Sequence, residues 1–383
     1  MDFKLSAVQE KQRQLAREFA QREIEPIAPE VDRTDTYPIE VWEKMRKSGL
    51  VGVQYPKRYG GLERDFLSYI LTLEELSRAS AAVGYPLLQN GDLVAGLIMR
   101  FANEQQKDRY LPPLVTGEKF GLFMVTEHGS GSDSPRAIKT RAVPDGDHWV
   151  ITGSKHFVST IFDPTGAAII FARIGEKNVG CFLAETTTSG FVKGKKERMA
   201  GLKGTEHREY QFENLRLPKG NLLGGEDDGT KILYFTIASS RIAVAAQALG
   251  LAQAALDEAA KRAREHERFS RKIGAFQAIQ WMITDMAVGT ETARLLTYKA
   301  AIVKEQGGPF HTEASMAKLW ATEVAVDAAR KASQIYGGYG CMEGTKVERL
   351  YRDAKLLQVY EGTSEVQKHL VAKSLLGPIV TLD

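Results

Sequence analysis

Hydrophobic residues recur with a helical period over the first part of the chain. Apolar positions predict helices over residues 67–76 and 93–101, and other amphipathic stretches surround them. The last helix of this region is expected to stop at Pro112, because proline has no backbone N–H and its ring clashes with the preceding turn. The pattern predicts an N-terminal α-helical domain over residues 1–120.

The period changes at Gly121, where short β-rich runs replace the helical pattern. These runs cover residues 123–125, 149–151, 168–171, 181–183 and 210–212. Asp145-Gly146 lies between two of them and is a hairpin signal, while glycine, threonine and proline separate the others. Residues 121–228 are therefore predicted to form a small antiparallel β domain, either a barrel or a sandwich.

Long amphipathic segments return after residue 229. Their apolar positions predict four helices, over about residues 242–263, 276–307, 313–333 and 364–375. Ser364, with Gln367 three residues later, forms a capping box, so the last helix is expected to begin there. Four helices of this size predict a C-terminal four-helix bundle over residues 229–383. The predicted fold class is α+β, in the order helical domain, β domain, helical bundle.

Composition narrows the classes of function. The chain has 383 residues and a net charge of +3, which is too small to indicate nucleic acid or an anionic membrane as a partner. No apolar run is expected to reach the ~20 residues of a membrane span, and the histidines show no metal-ligand spacing. Cys181 and Cys341 form no CxxC pair and indicate a reducing compartment, either a bacterial cytoplasm or the mitochondrial matrix.

The most informative acid is Glu361, which lies in a glycine-containing turn before the last helix. A carboxylate on such a turn can be held in an apolar cavity, where its pKa rises and it can act as a base on a weakly acidic C–H. The alternative is an ordinary acid stabilised by the dipole of the following helix. This stretch by itself leaves both interpretations open.

A polar, glycine-rich loop over residues 126–133 follows the first β-rich run. Its glycines let the backbone approach a ligand, and Thr126 and Ser132 offer hydroxyl groups. The loop is not the GxGxxG of a βαβ unit, and the sequence contains no Walker A motif. An ordinary surface loop is the alternative.

Six separated segments occur in a fixed order along the chain. They are TEHGSGSD from Thr126, GSKHFVS from Gly153, FQAIQ from Phe276, QIYGG from Gln334, RDAK from Arg352 and YEGT from Tyr360. Together they resemble the acyl-CoA dehydrogenase family over essentially the whole chain. The resemblance implies an α/β/α fold, one FAD per subunit, and a homotetramer built as a dimer of dimers. It also implies an acyl-CoA substrate and an electron-transfer flavoprotein as the electron acceptor.

The resemblance makes Glu361 the catalytic base that takes the α-proton of the acyl-CoA. The flavin N5 then accepts the β-hydrogen as hydride, which leaves a trans-2-enoyl thioester. In this family the backbone N–H of Glu361 and the flavin ribityl chain stabilise the charge on the thioester carbonyl. Some relatives place the base just before the arginine that corresponds to Arg241. That position is Ser240 here, so Glu361 has no obvious rival.

The resemblance also assigns the residues that bind cofactor and substrate. The flavin-ring contacts are Phe123, Val125, Thr126, Ser132, Phe157 and Ser159. The contacts to the FAD pyrophosphate and adenosine, made across the dimer, are Phe269, Gln277, Gln334, Gly337 and Gly338, and Thr363 and Glu365 make contacts after the base. The acyl-CoA contacts are Ser132, Ser240, Arg241 and Gly362. The resemblance implies no metal.

Three positions depart from the family pattern. His128 stands where proline is usual, and Phe157 stands where tryptophan is usual, which reduces the stacking area on a flavin. His266 replaces an arginine that meets the FAD pyrophosphate of the neighbouring subunit. Arg268, two residues later, is expected to supply that charge.

Asp92 lies in the segment that walls the acyl pocket in the family, where serine is more frequent. One interpretation makes it the N-cap of a helix that begins near Leu93. The other makes it a second catalytic acid/base for a carbon beyond Cα, as in dehydrogenases of ring-containing acyl-CoAs. A lone carboxylate there would be uncompensated and would disfavour long apolar chains, so cyclic or compact acyl-CoAs are expected as substrates.

Other functions on the same scaffold stay open at the level of sequence. An acyl-CoA oxidase or an enoyl-CoA reductase would carry the same motifs. A flavin-bearing relative that binds nucleic acid or acts in stress is disfavoured by the intact Glu361 turn and by the near-neutral charge.

Overall fold

Helices form both ends of the chain and a sheet forms its middle, in the order that the hydrophobic pattern predicts. The computed structural model describes residues 4–161 and 166–379. The N-terminal helices are α1 (Ala7–Phe19), α2 (Ala28–Thr34), α3 (Ile39–Lys47), α4 (Phe66–Ala79), α5 (Ala81–Leu88), α6 (Ala95–Phe101) and α7 (Glu104–Val115). Two π-helical segments belong to this region, Ala20–Ile24 after α1 and Gln89–Val94 between α5 and α6.

The middle of the chain forms one mixed sheet. Its strands are β1 (Gly121–Met124), β2 (Arg141–Asp145), β3 (His148–Thr160), β4 (Ala167–Ile174), β5 (Asn178–Ala184), β6 (Phe191–Glu197), β7 (Glu206–Pro218) and β8 (Leu222–Leu223). The order across the sheet is β6-β7-β3-β2-β4-β5-β8, and β1 pairs with β4. Asp145 pairs with His148, which confirms the predicted hairpin.

The expectation of a purely antiparallel sheet is wrong, because β4 runs parallel to both β1 and β2. Strand direction depends on how distant segments meet, and the local hydrophobic period does not report it. The β-rich character of the region is otherwise as predicted, and every β-rich run of the sequence falls in or beside a strand of this sheet.

The C-terminal region is helical, as predicted, but contains an additional helix. Its helices are α8 (Gly229–Glu265), α9 (Gln277–Glu305), α10 (His311–Tyr336), α11 (Lys346–Leu357) and α12 (Ser364–Leu376), with a small hairpin of β9 (Glu267–Arg268) and β10 (Arg271–Lys272). Helix α11 was missed, although it buries Val347, Leu350, Ala354 and Leu357 at helical spacing. The described residues after 229 therefore hold five helices rather than four, and the overall α+β fold class is confirmed.

Two predicted helix ends differ from the observed ones. Helix α7 continues through Pro112 to Val115, because a proline near the end of a helix still accepts hydrogen bonds, and the carbonyl of Pro112 accepts from the backbone N–H of Thr116 at 3.0 Å. Helix α12 does start at Ser364, but its N-cap is Thr363, whose hydroxyl accepts from the N–H of Val366 at 3.3 Å. The predicted capping box at Ser364 is therefore wrong.

Helix α8 runs through the core and brings the bundle against the N-terminal helices. A Cβ on Gly250 would lie 2.5 Å from the carbonyl oxygen of Glu74, so only glycine permits this close approach of α8 to α4. An 18-residue window of α8 has a mean hydropathy of 1.4, contrary to the expectation that no apolar run reaches membrane length. Since 83% of that window is buried inside the protein, its alanine-rich surface serves the core.

Candidate active site

The turn between α11 and α12 presents Glu361. Glu361 has φ of +55° and Gly362 has φ of +95°, so two consecutive residues occupy the left-handed region. A side chain at Gly362 would lie 2.7 Å from Nε2 of Gln367, which makes glycine necessary there. The backbone carbonyl of Glu361 accepts from Nε of Arg241 at 3.2 Å and from Gln367 at 3.3 Å. These contacts hold a strained turn in one conformation.

A buried lysine, Lys318, forms hydrogen bonds with both ends of the same turn. Nζ of Lys318 donates to the carbonyl of Gln358 at 3.0 Å and to that of Gly362 at 2.8 Å. Burial, with the charge of Arg241, lowers the pKa of Lys318 to about 7, although the charge of Glu361 opposes the shift. Lys318 thus joins the two ends of the turn that carries Glu361.

Among the residues that the structure describes, the Glu361 carboxylate has one hydrogen-bond partner, the hydroxyl of Ser240, which donates to Oε2 at 2.8 Å. Burial raises the pKa of Glu361, the Ser240 hydrogen bond and the charge of Arg241 lower it, and the charge of Asp92 raises it further. The net shift is upward, as a base for a weakly acidic C–H requires. Ser240 and Arg241, both assigned to the substrate, therefore lie against the turn of Glu361.

Asp92 lies in the π-helical segment Gln89–Val94. The backbone N–H of Ala95 bonds the carbonyl of Asn90, five residues earlier, so the segment contains one residue more per turn than an α-helix. Val94 is the N-cap of α6, and Asp92 makes no capping hydrogen bond. The interpretation of Asp92 as a helix cap is wrong, because the helix passes through it instead of starting after it.

The side chain of Asp92 is buried and paired. Oδ1 accepts from the hydroxyl of Ser239 at 2.7 Å and lies 3.5 Å from Nζ of Lys304. The expectation of an uncompensated carboxylate is therefore wrong, since Lys304 reaches it from α9. Oδ2, in contrast, has no hydrogen-bond partner within the described residues. Half of the carboxylate is thus fixed and the other half is unsatisfied.

Consecutive serines on α8 connect the two acids. Ser239 donates to Asp92 and Ser240 donates to Glu361, so both carboxylates lie against the same turn of one helix. The contribution of Asp92 to the raised pKa of Glu361 shows that the two charges affect each other. Structure therefore brings together the two residues that the sequence proposed as catalytic.

The glycine-rich loop after β1 is held by a buried ion pair. Nζ of Lys155 donates to Oε1 of Glu127 at 2.8 Å and to the carbonyl of Val125 at 3.0 Å. Glu127 also accepts the backbone N–H groups of Lys139 and Thr140, at 2.7 and 3.0 Å. Burial lowers the pKa of Lys155 to about 8 while Glu127 opposes the shift. The Lys155–Glu127 pair thus anchors the loop, and Ser132 at the tip of the loop is exposed.

The predicted flavin-ring residues follow β1 and β3. Phe123, Val125 and Thr126 lie along or after β1, and Phe157 lies in β3 with φ of +56° and an exposed fraction of 51%. An exposed aromatic ring in a left-handed conformation is costly unless a ligand covers it. The ring of His156 stacks on Phe157 at 4.0 Å.

Ser159 and His128 lie near the predicted flavin-ring residues and differ in the contacts that their side chains already make. Ser159 is buried, and its hydroxyl already contacts the Tyr85 hydroxyl at 2.9 Å and Nδ1 of His207 at 3.1 Å. Its side chain is therefore committed within the protein. His128, which stands where proline is usual, stacks on His156 at 4.1 Å. The two imidazoles and Phe157 form one continuous stack beside the glycine-rich loop.

A second group of predicted cofactor residues lies at the β9–β10 hairpin and the end of α10. A groove of about 940 Å³ is lined there by Arg268, Phe269, Gly337 and Gly338 among others. Phe269 is 87% exposed and has φ of +52°. His266 also lines the groove, together with Arg268, and the role of Arg268 as the replacement charge for the cofactor stays a prediction. Gln277 and Gln334 are exposed on α9 and α10.

The remaining predicted residues surround the turn. Thr363 caps α12, and Glu365 is exposed in the first turn of that helix. Sequence reasoning missed Ser239, Lys304, Lys318 and the Lys155–Glu127 pair. Two adjacent serines in an otherwise apolar helix were a usable signal for Ser239. The lysines gave no local signal, because each meets its partners across a long stretch of chain.

Comparison with known proteins agrees with this architecture. Models of the acyl-CoA dehydrogenase N-terminal, middle and C-terminal domains match residues 6–118, 122–215 and 227–376. The short-chain specific acyl-CoA dehydrogenase of Clostridium acetobutylicum is 43% identical over 97% of this chain and 99% of that protein. The 3-(aryl)acrylate reductase of Clostridium sporogenes is 40% identical over 95% of this chain and 97% of that protein.

A solved structure extends the likeness to three dimensions. Butyryl-CoA dehydrogenase from Megasphaera elsdenii aligns with a TM-score of 0.95 at 37% identity, over 98% of this chain and 100% of that chain. The fold and the matches place the chain among FAD-dependent oxidoreductases. It belongs to the acyl-CoA dehydrogenase family.

The residues present fit an FAD. Phe157 and Phe269 expose aromatic rings that a flavin and an adenine would cover. In the glycine-rich loop, the hydroxyls of Ser130 and Ser134 are buried without a hydrogen-bond partner in the described part of the chain. A Cβ on Gly131 would meet nothing within 4 Å, so this backbone is open to a ligand. Unsatisfied hydroxyls and open backbone beside an exposed ring are features of a cofactor site.

Proposed function

We propose that this protein oxidises cyclic or other compact acyl-CoA thioesters, with Glu361 as the base for the carbon next to the thioester and Asp92 as a second acid/base for a carbon farther along. The observation that carries the proposal is the pair of serines on α8. Ser239 holds Asp92 and Ser240 holds Glu361, so two carboxylates are anchored to consecutive residues of one helix. One base suffices for a linear acyl chain, and a second carboxylate is unexplained by that reaction.

Glu361 is suited to remove the α-proton. Its raised pKa makes it a stronger base than an exposed glutamate, and the turn fixes its backbone N–H beside the side chain. Arg241 and Lys318 place positive charge near the turn, which favours negative charge developing on a thioester carbonyl. Bound FAD supplies a two-electron acceptor for the hydride that leaves with the proton.

Asp92 is suited to a proton farther from the thioester. Its unsatisfied Oδ2 is an acceptor without a donor, so a long apolar chain beside it would leave that oxygen unpaired. A ring that is already unsaturated next to the thioester instead brings an activated C–H beyond Cβ to this oxygen. Asp92 would take the proton of that carbon while a hydride leaves a second ring carbon for bound FAD, so the ring loses H⁺ and H⁻ together and gains one double bond. Because Lys304 compensates the charge, the expected preference for rings rests on the free oxygen and not on an isolated charge.

The reverse direction is a second candidate, because the same two acids donate protons to an unsaturated thioester by microscopic reversibility. The relative named 3-(aryl)acrylate reductase, at 40% identity, favours keeping it. In the oxidative direction we propose an electron-transfer flavoprotein as the acceptor. We also propose a homotetramer, in which the groove at Phe269 serves the cofactor of a neighbouring subunit.

Anaerobic reduction of the enzyme-bound flavin tests the substrate class. The wild-type protein is mixed with linear, branched and cyclic acyl-CoAs, and bleaching is followed by absorbance. We expect faster bleaching with cyclic thioesters than with octanoyl-CoA, and Asp92→Asn should impair cyclic substrates about 10²-fold or more while impairing linear ones much less. Asp285→Asn, an exposed acid on α9, is the matched control. Equal loss on both substrate classes would remove the ring hypothesis.

A further inference from the structure

Lys304 is a charged residue of the bundle that reaches inward, beside the proposed acids. It lies in the last turn of α9, and only 18% of its side chain is exposed. Its ammonium nitrogen lies 2.5 Å from the hydroxyl oxygen of Ser239, 3.5 Å from Oδ1 of Asp92 and 3.3 Å from the centre of the Phe66 ring. Removing a lysine ammonium from water is costly, so its contacts with three protein groups indicate that its charge has a role at this position.

The contacts of Lys304 are arranged as a chain that ends at Asp92. Lys304 donates to the hydroxyl of Ser239, and that hydroxyl donates to Oδ1 of Asp92 at 2.7 Å. A serine hydroxyl has one proton, so accepting from the lysine commits it to donate to the carboxylate. Oδ1 is therefore fixed by both groups, whereas Oδ2 is buried and has no hydrogen-bond partner among the described residues, so it is the oxygen left to exchange a proton.

The other charged or titratable groups around Asp92 do not supply this compensation. Burial and the charge of Asp92 raise the pKa of both Tyr55 and Tyr69, so these phenols are neutral. Glu361 is itself an acid and is repelled by Asp92. Glu305 adds a further negative charge beside Lys304. Among the described groups that act electrostatically on Asp92, Lys304 is the cation in direct contact.

We propose that Lys304 is a positioning residue for the second proton transfer, which compensates the charge of the Asp92 carboxylate and, through Ser239, directs the free carboxylate oxygen toward the ring of the substrate. This inference rests on the proposed function, because it requires Asp92 to exchange a proton with the substrate. It assigns a role in specificity to a residue of α9, which carries none of the residues that the family motifs assign to substrate contacts.

The test compares Lys304→Met, Lys304→Arg and Ser239→Ala in the FAD-loaded enzyme. For a cyclic acyl-CoA, Lys304→Met should lower kcat about 10-fold or more and move the acidic limb of the pH–rate profile upward by about one pH unit, because loss of a nearby cation favours the protonated carboxyl. Lys304→Arg should restore the position of the limb. Ser239→Ala should act in the same direction with a smaller shift.

Two further measurements separate positioning from a merely structural role. The affinity for a non-reactive cyclic thioester analogue, measured by calorimetry, should change much less than kcat, because Lys304 does not touch the substrate. In an Asp92→Asn background, Lys304→Met should add no further loss on cyclic substrates, since the two residues act as one unit. Lys299→Met, on the same helix with a side chain that is 62% exposed, is the matched control.

The outcomes distinguish this inference from the proposed function. If Asp92→Asn impairs cyclic substrates but Lys304→Met leaves both kcat and the pH profile unchanged, the role of Lys304 is refuted and the proposed function stands. If Asp92→Asn has no selective effect, the proposed function itself fails. An equal shift with Lys304→Met and Lys304→Arg would show that side-chain packing, and not charge, is responsible.

Discussion

Glu361 and Asp92 are both removed from bulk water, but the protein holds them in different ways. Glu361 stands on a left-handed turn and receives one hydrogen bond from a neutral hydroxyl. Asp92 stands in a π-helical segment and is paired with an ammonium group and a hydroxyl. The first arrangement raises the pKa of the acid and stores strain in its backbone. The second fixes one oxygen and leaves the other buried without a hydrogen-bond partner among the described residues.

The difference indicates which chemical role each arrangement suits. A base for a very weak C–H acid gains from burial, because the raised pKa increases its basicity even though the charges of Arg241 and Lys318 oppose the shift. A second acid/base that exchanges a proton with an already activated carbon needs orientation more than basicity. Charge compensation by Lys304 and positioning by Ser239 supply that orientation.

The largest effect is expected at Glu361. Glu361→Gln should keep FAD and acyl-CoA binding but lose flavin reduction by saturated acyl-CoAs on the order of 10²–10⁴-fold, because glutamine cannot accept the proton. Asp92→Asn should be selective for rings, so the two variants together test the difference between the acids. Stopped-flow reduction and a flavin spectrum measure both properties. Glu291→Gln, an exposed acid on α9, serves as control, and near wild-type reduction by Glu361→Gln would identify another base.

The two acids should also affect stability in opposite directions. Burial raises the pKa of Glu361 above the ordinary value of 4.5, so its contribution to stability is present below that value and is lost as pH rises through the folded pKa. At pH 7 the raised pKa is a cost to stability, so Glu361→Gln should raise Tm, with the gain shrinking toward pH 4. Asp92→Asn leaves Lys304 unpaired and should lower the free energy of unfolding by about 1–3 kcal/mol at pH 7.

Thermal unfolding of the FAD-loaded proteins at pH 4 and pH 7 checks both signs. A fall in Tm with Glu361→Gln at pH 7 would mean that the turn depends on the carboxylate itself. An unchanged Tm with Asp92→Asn would mean that Lys304 relaxes to solvent when its partner is lost.

The smallest expected effect separates the two serines. The Ser240 hydrogen bond lowers the pKa of Glu361, so Ser240→Ala should move the acidic limb of the pH–rate profile upward with linear and cyclic substrates alike, by up to about one unit. Ser239→Ala should move that limb with cyclic substrates and have less effect with linear ones. Steady-state profiles with one linear and one cyclic acyl-CoA give the comparison, and identical behaviour of the two variants would contradict the separation of roles.

The turn that carries Glu361 could be predicted from the sequence, because the residues that indicate it are close together along the chain. A glycine after the acid, a capping residue and an apolar helical run lie within a few positions of one another. The order of helices and strands was accessible for the same reason. Helix α11 was missed because charged residues, including the buried Arg349 and Asp353, interrupt its apolar positions and because glycines precede it closely.

The surroundings of Asp92 could not be predicted from the sequence, since they depend on contacts with residues that are distant along the chain. Lys304 lies more than two hundred positions from Asp92, and nothing in either local pattern indicates the ion pair. The π-helical hydrogen bond from Ala95 to Asn90 also leaves no trace in the hydrophobic period. The parallel pairing of β1 with β4 is a third case in which tertiary contact, and not local preference, decided the result.

The π-helical segment has a consequence for how the pocket wall at Asp92 can change by insertion or deletion of one residue. Because a π-turn holds one residue more than an α-turn, deletion of a single residue within Gln89–Val94 would restore a regular α-helix from Ala81 to Phe101. The extra residue is accommodated within that one turn, so the same deletion would change which side chain lies at that point of the wall and would leave the flanking turns in their orientation. A lineage can therefore gain or lose an acid at this wall through a one-codon insertion or deletion, while the rest of the helix keeps its register.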